Sequence, residues 1–393
     1  MNEKMLALGK QSSVIRALSE YGTKRKNEIG AENVYDFSLG NPSIPAPDSV
    51  KEAILSLAEE MDPCLLHGYT ASPGDIKVRT AIANSYKERF GFEAKGELIY
   101  MTCGAAASLT TAFHALLSEG EEVVVPAPFF PEYRVFVEKA GGVLKPVLCH
   151  QPSFQLDLDK MEEAITEKTR VVLLNSPNNP TGAVYTEESL ISLSQMLERK
   201  EKELGTKIYL LADEPYRELF YGQGNVPFLP SLYPRTLVAY SFSKSLSLPG
   251  ERIGYLLVSP RFEEAGEVFR AICGAGRSLG FVCAPSMWQK VIEKCLGQTS
   301  DVEEYRKNCA LLSTALTQMG YVVTPPEGAF YLFVKAPDGD AAAMSEKAKK
   351  YELLLVPSDS FGVPGFVRIA YCVSRKTIED SLPAFRKLME EYL

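Results

Sequence analysis

The fold and the chemistry of this chain are most directly indicated by residues 240–255, which read YSFSKSLSLPGERIGY. A single lysine, Lys244, stands among small hydroxyl residues at the end of an apolar run, and Arg252 follows eight positions later. This arrangement suits a lysine that holds an aldehyde cofactor as a Schiff base while an arginine binds the phosphate of the same cofactor. If that interpretation is right, other polar groups must lie at the ends of neighbouring strands.

The bulk composition is that of an ordinary globular protein. The chain has 393 residues, 46% hydrophobic and 23% charged, and this length suits a large domain with a smaller one. The formal net charge is −8 and no basic block stands out, so nucleic acid and membrane surfaces are poor partners. No apolar run reaches about 18 residues, and residues 1–10 lack a long apolar stretch, so we expect neither a membrane span nor a signal peptide.

The cysteines and histidines show no metal-binding pattern. Eight cysteines are scattered without a C-x-x-C pair, and the three histidines, His67, His114 and His150, lie far apart in the sequence. We therefore expect reduced cysteines, no metal and a cytoplasmic location. His67 stands closest to the candidate site, but no histidine receives a role.

Short apolar runs alternate with helix-like patterns, which predicts an α/β fold with a mostly parallel sheet flanked by helices. Strands are expected at Leu98–Thr102, Glu122–Val125, Val143–Leu148, Val171–Leu174, Lys207–Ala212, Leu237–Phe242 and Ile253–Val258. Helices are expected at Ala106–Ser118, Pro131–Ala140, Leu158–Ala164 and Glu187–Leu204.

After Pro285 the pattern changes to that of a smaller α+β domain. One long helix-like stretch is followed by three strand-like runs, at Ser286–Met319, Gly328–Val334, Leu353–Val356 and Phe366–Tyr371. The proline-containing residues 38–47 look like a linker. We place a large domain at 48–290 and combine 1–47 with 291–393 in a small domain.

Three polar residues, Asn175, Asp213 and Lys244, stand at the carboxyl ends of predicted strands. Because ligands bind outside the carboxyl ends of strands in open α/β sheets, we expect these groups to converge on one crevice. Asp213 either caps the following helix or pairs with a cationic ring nitrogen, as a pyridinium cofactor requires.

Two loops fit the same crevice, although each has a plainer explanation. Residues 175–182 read NSPNNPTG, which is either an ordinary turn or a loop in which Pro180, through a cis peptide bond for example, holds Asn179 rigidly. Residues 102–106 read TCGAA and join a strand to a helix. Their small side chains either pack tightly or let the helix N-terminus reach a phosphate.

Two further residues have the same double interpretation. Phe130 either belongs to the core or stacks on a cofactor ring. Arg368 lies in the apolar run at residues 366–371, where it occupies an exposed sheet edge or, if buried, binds a substrate carboxylate.

Taken in order, these motifs resemble the class I and II aminotransferases of the aspartate aminotransferase superfamily, fold type I of the pyridoxal-phosphate enzymes. The matching positions are NNPTG at 178–182, DEPY at 213–216, SFSK at 241–244 with Arg252, and Arg368. The resemblance extends from Asp36 to the C-terminus. Each motif alone is moderately specific, whereas the ordered set is highly specific.

The resemblance implies a role for each matched residue. Lys244 would form the Schiff base with pyridoxal 5'-phosphate and move protons, and Asp213 would bind the pyridine nitrogen. Tyr216 and Asn179 would hydrogen-bond the phenolic oxygen, and Phe130 would stack on the ring. The phosphate would be bound by Ser241, Arg252 and the backbone of Gly104, Ala105 and Ala106, and Tyr69 would reach the phosphate of the neighbouring subunit. Arg368, with Gly40 and Asn179, would bind the substrate carboxylate. Residues 104–106 carry no hydroxyl where some relatives have one, so phosphate contacts there would come from the backbone.

The resemblance also implies a reaction. A homodimer with shared active sites would move the amino group of an aspartate-type or aromatic L-amino acid to a 2-oxo acid such as 2-oxoglutarate, by ping-pong kinetics through pyridoxamine phosphate. Arg277 lies in roughly the region where some relatives place a cation for a dicarboxylic substrate. Two alternatives remain, namely a fold type I C–S β-lyase and a regulator with a transaminase-like domain. The regulator is disfavoured by the acidic charge and by the early start of the resemblance, which leaves no room for a DNA-binding module.

Two other motifs are rejected. Residues 276–280 match the hydrolase pattern G-x-S-x-G, but all three histidines precede Ser278, which is the wrong order for that fold. Residues 241–244 match S-x-x-K, but the chain has no S-D-N or K-T-G to complete the β-lactamase set. The sequence also contains no G-x-G-x-x-G and no Walker A motif.

Overall fold

The computed structural model describes residues 1–10 and 13–393. The strands are β1 (Tyr35–Asp36), β2 (Ile99–Thr102), β3 (Glu122–Ala127), β4 (Val143–Leu148), β5 (Thr169–Asn175), β6 (Tyr209–Asp213), β7 (Thr236–Ser241), β8 (Gly254–Val258), β9 (Val322–Thr324), β10 (Tyr331–Lys335), β11 (Leu353–Leu354), β12 (Val356–Pro357) and β13 (Phe366–Ala370). The α-helices are α1 (Glu3–Lys10), α2 (Val14–Ile29), α3 (Asp48–Glu60), α4 (Pro63–His67), α5 (Ile76–Phe90), α6 (Ala105–Leu116), α7 (Glu132–Lys139), α8 (Leu158–Ala164), α9 (Glu187–Leu204), α10 (Leu229–Leu232), α11 (Phe242–Ser245), α12 (Ala265–Ser278), α13 (Ser286–Cys295), α14 (Val302–Gln318), α15 (Ala341–Lys349) and α16 (Arg375–Glu390).

A seven-stranded sheet, in the order β2-β8-β7-β6-β5-β3-β4, forms the centre of the fold. The strands from β7 to β4 pair in parallel, whereas β8 is antiparallel to both of its neighbours. Alternate residues of β5 enter two different core clusters, with Val172 and Leu174 on one face and Val171 and Leu173 on the other. Both faces are therefore buried, which is why these strands read as continuous apolar runs. The predicted α/β class is confirmed.

Local signals set the ends of the helices that border this sheet. Helix α9 begins after Thr186, whose side chain accepts a hydrogen bond from the backbone N–H of Ser189, and ends at Gly205 in a left-handed conformation. The single turn α11 begins after Ser241, whose hydroxyl accepts a hydrogen bond from the N–H of Ser243. This turn places Lys244 immediately beyond the carboxyl end of β7.

A second, four-stranded antiparallel sheet has the order β12-β13-β10-β9, and β1 pairs in parallel with β11. A third core cluster, which includes Phe37, Tyr305 and Phe385, brings together residues from both ends of the chain. Strand β13, which carries Arg368, lies between β12 and β10 rather than at an edge. The exposed-edge interpretation of Arg368 is therefore wrong.

The bounds of β4, α8 and α9 agree with the sequence prediction, but two elements after Pro285 do not. The single helix predicted at Ser286–Met319 is two helices, α13 and α14. The break occurs because Gly297 adopts a left-handed φ of 82° and Asp301 caps α14 by accepting hydrogen bonds from the N–H groups of two glutamates. The strand predicted at Leu353–Val356 is likewise divided between β11 and β12, which belong to different sheets.

The boundaries of the two domains stay a prediction. Residue 290 falls inside α13, whose buried Val291 and Ile292 belong to the same core cluster as Val50 and Leu57 of α3. Among the described residues, no helix combines the length and the hydropathy needed to cross a bilayer.

Candidate active site

A cavity of about 270 Å³ opens at the carboxyl ends of β5, β6 and β7. The three strands pair in parallel, and Asn175 lies directly beside Asp213 in the register. Of the residues predicted from the sequence, the cavity wall contains Gly40, Ala105, Ala106, Phe130, Asn175, Asn179, Asp213, Tyr216, Ser241, Lys244, Arg252 and Arg368. The structure thus brings nearly all of the predicted site residues to one place.

Asp213 is the buried carboxylate of this cavity, with 5% of its surface exposed. The hydroxyl of Tyr133 donates a hydrogen bond to Oδ2 at 2.5 Å. The other oxygen, Oδ1, is buried and has no hydrogen-bond partner among the described residues. Burial raises the pKa of Asp213 to about 7, although the hydrogen bond from Tyr133 acts in the opposite direction.

The orphaned oxygen of Asp213 shows whether the implied cofactor fits. A buried, unpaired carboxylate oxygen is costly, so its counterpart must be a donor or a cation that enters the cavity. A protonated pyridine nitrogen satisfies both needs at once. The residues present therefore fit pyridoxal phosphate, and Asp213 is the residue that would pair with the ring nitrogen.

A second group of residues forms an anion cradle at the N-terminus of α6. Gly104 adopts a φ of 89° just before the helix, and a side chain there would place its Cβ 2.9 Å from Nη2 of Arg252. Arg252 itself has a left-handed φ of 53°. Nearby, the hydroxyls of Ser241 and Ser243 lie 2.6 Å apart. Free backbone N–H groups at a helix start, a guanidinium and hydroxyls are the groups that bind phosphate.

Lys244 is half-buried, and its Nζ donates a hydrogen bond to the carbonyl oxygen of Gly40 at 2.6 Å. Burial lowers the pKa of Lys244 to about 8. The Cys372 thiol opposes this shift, while the positive charges of Arg252 and Arg368 add to it. The amine can therefore lose its proton close to neutral pH, which a nucleophilic lysine requires.

Arg368 is a buried guanidinium with 2% of its surface exposed. Its Nη1 donates to Oδ1 of Asn179 at 3.1 Å and its Nη2 to the carbonyl oxygen of Ser38 at 2.6 Å. Its Nε has no partner among the described residues. No carboxylate of the described chain pairs with this cation, so an incoming carboxylate is the natural counter-ion.

The loop that carries Asn179 is held by its own side chains. The backbone N–H of Asn179 donates to Oδ1 of Asn175 at 2.7 Å, and Nδ2 of Asn175 donates to the carbonyl oxygen of Asp213 at 2.9 Å. The Asn179–Pro180 peptide bond is cis. Asn175 therefore links the loop to strand β6.

Two tyrosines of the site escaped the sequence prediction. Tyr133 lies three residues after Phe130, a spacing that places both on one side of α7 and its start, so this signal could have been read. Tyr331 lies in a different sheet, and its hydroxyl is 2.9 Å from that of Tyr216. Nothing in the sequence pairs Tyr331 with Tyr216, because the contact joins β10 to the turn after β6, which are far apart along the chain.

Three residues singled out from the sequence lie away from the cavity. Tyr69 is 89% exposed and does not line it. Arg277 borders a separate surface depression together with Cys273 and Val282. His67 is exposed at the end of α4.

The fold and the cavity define a class of protein. The mostly parallel seven-stranded sheet carries a lysine, a carboxylate and an asparagine at adjacent strand ends, and an arginine enters the cavity from a second sheet. This is the architecture of the fold type I enzymes that use pyridoxal phosphate.

Comparison with known proteins agrees with this class. The sequence model of the family "Aminotransferase class I and II" matches residues 31–385. The probable aspartate/prephenate aminotransferase of Aquifex aeolicus is 29% identical, over 94% of this chain and 95% of its own length. The chain belongs to the class I and II aminotransferases and is a transaminase.

Two solved structures resemble the whole chain. An aminotransferase from Eubacterium rectale superposes with a TM-score of 0.97 and 51% identity, covering 100% of this chain and 99% of that one. The aspartate aminotransferase of Thermus thermophilus with maleate superposes with a TM-score of 0.85 and 26% identity, covering 96% and 97% of the two chains.

Proposed function

We propose that this enzyme binds pyridoxal 5'-phosphate and transfers the amino group of an aspartate-type or aromatic L-amino acid to a 2-oxo acid such as 2-oxoglutarate. The observation that carries the proposal is the buried, unpaired Oδ1 of Asp213. The same cavity contains the lysine of lowered pKa and Arg368, whose guanidinium pairs with no carboxylate of the described chain. A cationic ring, an amine nucleophile and a carboxylate handle are the three requirements of transamination.

When bound, pyridoxal phosphate supplies an aldehyde for the amine and a protonated ring that accepts electron density from the substrate α-carbon. Asp213 would hold the proton on the ring nitrogen, and Tyr133 would keep Asp213 oriented and favour its ionised form. Phe130 would pack against the ring, and Tyr216 and Asn179 would donate to its phenolic oxygen. Ser241, Arg252 and the backbone N–H groups that follow Gly104 would hold the phosphate.

Lys244 moves the α-proton of the substrate. Its Nζ must be neutral to accept that proton, and its lowered pKa of about 8 makes this possible near neutral pH. Nζ of Lys244 donates to the carbonyl oxygen of Gly40, and Arg368 donates to the carbonyl oxygen of Ser38, two residues earlier. Lys244 and Arg368 therefore contact the same short segment of the cavity wall. The donor and the acceptor would use the same site in turn, so ping-pong kinetics are expected.

The choice of substrate follows from the charges of the cavity wall. Among the wall residues that the structure describes, the cations are Lys244, Arg252 and Arg368, and each already has a role. Aromatic residues such as Phe130 and Tyr331 also line the cavity, which suits an aromatic side chain. A second carboxylate, as in aspartate, would need a cation from outside this wall, and Arg277 of a second subunit is the candidate. The Thermus relative bound to maleate supports the dicarboxylate branch of the proposal.

We further infer a cytoplasmic homodimer in which Tyr69 contributes to the phosphate site of the neighbouring subunit. In support, the large side chain of Tyr69 is almost fully exposed, and Leu65 and Val282 also expose large apolar surfaces at 68% and 65%. Loss of cofactor affinity in Tyr69→Phe, with restoration in a hybrid dimer that keeps one intact tyrosine, would support the shared site.

A donor screen tests the proposed reaction. The purified holoenzyme is mixed with single L-amino acids and 2-oxoglutarate, and both keto acid and glutamate are quantified. Aspartate or an aromatic amino acid should give equimolar products and parallel-line kinetics, and Lys244→Ala should give none. Release of ammonia and a thiol from a cysteine conjugate, without glutamate, would instead identify a C–S lyase and overturn the proposal.

A further inference from the structure

Tyr331 is the only tyrosine whose hydroxyl contacts that of Tyr216 within the described chain, at 2.9 Å. Both rings line the cavity and pack edge to face, with centroids 5.8 Å apart. Tyr331 comes from β10 of the second sheet, whereas Tyr216 follows β6 of the first. The contact therefore joins the part of the site that would bind the cofactor to the part that carries Arg368.

Two neutral phenols carry one hydroxyl proton each, and only one of these protons can lie in the hydrogen bond between their oxygens. Burial raises the pKa of Tyr331 to about 12 and that of Tyr216 well above its usual value, so both hydroxyls keep their protons. If Tyr331 donates to Tyr216, the proton of Tyr216 is free to point elsewhere in the cavity. If Tyr216 donates to Tyr331 instead, the proton of Tyr216 is engaged in that hydrogen bond and is not available to the cofactor.

The hydroxyl of Tyr331 is also confined on its other side. Gly40 lies so close that a side chain there would collide with this hydroxyl, and the carbonyl oxygen of Gly40 accepts the hydrogen bond of Lys244. The hydroxyl of Tyr331 makes no other hydrogen bond to a described residue than the one with Tyr216. The hydroxyl of Tyr216 likewise has no other partner among the described residues, so either could be the donor of this bond. A cofactor oxygen that accepts from Tyr216 would leave Tyr331 as the donor of the pair.

The ring of Tyr331 has a separate contact. The guanidinium carbon of Arg368 lies 4.6 Å from the centroid of this ring, and Phe361 stands 5.3 Å from the same carbon. A desolvated guanidinium beside an aromatic face is stabilised by cation–π attraction. The ring of Tyr331 thus packs on Arg368, the residue expected to bind the substrate carboxylate, while its hydroxyl hydrogen-bonds Tyr216.

We propose that Tyr331 is a positioning residue with two separable parts. Its hydroxyl donates to Tyr216 and thereby directs the proton of Tyr216 at the phenolic oxygen of the cofactor. Its ring holds Arg368 in place for the substrate carboxylate. The inference rests on the proposed function, since it assumes that the cofactor and an amino acid occupy this cavity.

Two substitutions separate the parts. Tyr331→Phe removes only the hydroxyl, and the loss of one buried hydrogen bond should lower kcat/KM about fivefold. It should also shift the absorption spectrum of the bound cofactor in the direction produced by Tyr216→Phe, while the Kd of a dicarboxylate inhibitor such as maleate changes less than about twofold. Tyr331→Leu also removes the ring, and it should weaken maleate binding by about tenfold or more.

A double-mutant cycle tests whether the hydroxyl acts through Tyr216. In a Tyr216→Phe background, Tyr331→Phe should cost less than about twofold in kcat/KM and should not move the spectrum further. Tyr233→Phe is the matched control, because its hydroxyl donates to the carbonyl oxygen of Ile208 at 2.9 Å, at the opposite end of β6 from Asp213. It should show the same loss of thermal stability as Tyr331→Phe without any change in spectrum or kinetics.

The outcomes distinguish the two proposals. If the wild type and Tyr233→Phe transaminate but Tyr331→Phe is equally costly in both backgrounds, the hydroxyl does not act through Tyr216 and the inference fails alone. Equal loss of maleate binding in Tyr331→Phe and Tyr331→Leu would refute the role of the ring. If the wild type has no transaminase activity, the proposed function has failed, and the cofactor spectra of the variants still decide whether Tyr331 and Tyr216 are coupled.

Discussion

The buried carboxylate of Asp213 should make the apoprotein lose stability as the pH rises. Burial raises the pKa of Asp213 to about 7, above the usual value of 3.8, so the folded apoprotein holds a proton that the unfolded chain has already released. A group with a raised pKa stabilises the fold fully below its unfolded pKa, and this stabilisation is lost as the pH rises through the folded value. The affected window for Asp213 therefore extends from about pH 4 to above pH 7.

The magnitude follows from the two pKa values. Between pH 5 and pH 8, the change in protonation of this one group should remove roughly 2 to 3 kcal/mol from the free energy of unfolding. In the proposed holoenzyme the situation would be reversed, because the cationic ring nitrogen would pair with Asp213 and hold the carboxylate ionised. The holoprotein should show no such loss.

The assay compares urea unfolding of the apoprotein and the holoprotein at pH 5, 6.5 and 8, for the wild type and Asp213→Asn. The Asn variant carries no titrating group, so its apoprotein should lack this component of the pH dependence and should be the more stable protein at pH 8. The same variant should bind pyridoxal phosphate at least about tenfold more weakly, because a charge-assisted hydrogen bond is lost. An apoprotein whose pH dependence is the same with Asp and with Asn would refute the reasoning.

Three further predictions concern the remaining groups of the site. Gly104→Ala should weaken cofactor binding by about tenfold or more, because the added Cβ would meet Arg252. Gly91→Ala is the control for backbone strain alone, since Gly91 has a φ of 63° and no atom within 4 Å of the added Cβ. If equilibrium dialysis gives similar cofactor affinities for the two variants, the anion cradle at α6 is contradicted. Arg368→Lys should raise the Kd of a carboxylate inhibitor at least about tenfold, since an ammonium cannot replace the planar fork; a change smaller than about twofold would argue against Arg368 as the handle. In the apoprotein, the rate of acylation of Lys244, measured by peptide mapping, should be half-maximal near pH 8, whereas exposed lysines should require a higher pH. The same pH profile for all lysines would show that burial does not lower the pKa of this amine.

Much of the site was predictable because its residues stand at strand ends. Parallel strands bring their carboxyl ends to one edge, so Asn175, Asp213 and Lys244 could be expected together before their distances were known. The residues that were missed, Tyr133 and Tyr331, act on other side chains rather than standing at such ends. The spacing of Tyr133 from Phe130 indicates a shared side of α7, but it does not show that Tyr133 contacts Asp213. The contact of Tyr331 with Tyr216 depends on how a second sheet packs, and sequence spacing carries no information about that.

The division of helix α13 from α14 illustrates the same limit at the level of fold. The apolar pattern of residues 286–319 is helical on both sides of the break, and only the left-handed Gly297 and the cap at Asp301 end one helix and start the next. Both signals are present in the sequence, but each is short and is easily outweighed by a long periodic pattern.

The sequence by itself determined the α/β class, the family and the identities of the groups at the strand ends, because hydrophobic periodicity and ordered motifs are properties of the chain. Only the tertiary structure decided the state of those groups. Burial leaves Oδ1 of Asp213 without a partner and lowers the pKa of Lys244, and the packing of β10 against the first sheet puts the hydroxyl of Tyr331 on Tyr216. Desolvation and contacts between distant segments exist only in the folded molecule, and they convert a set of residue types into a site.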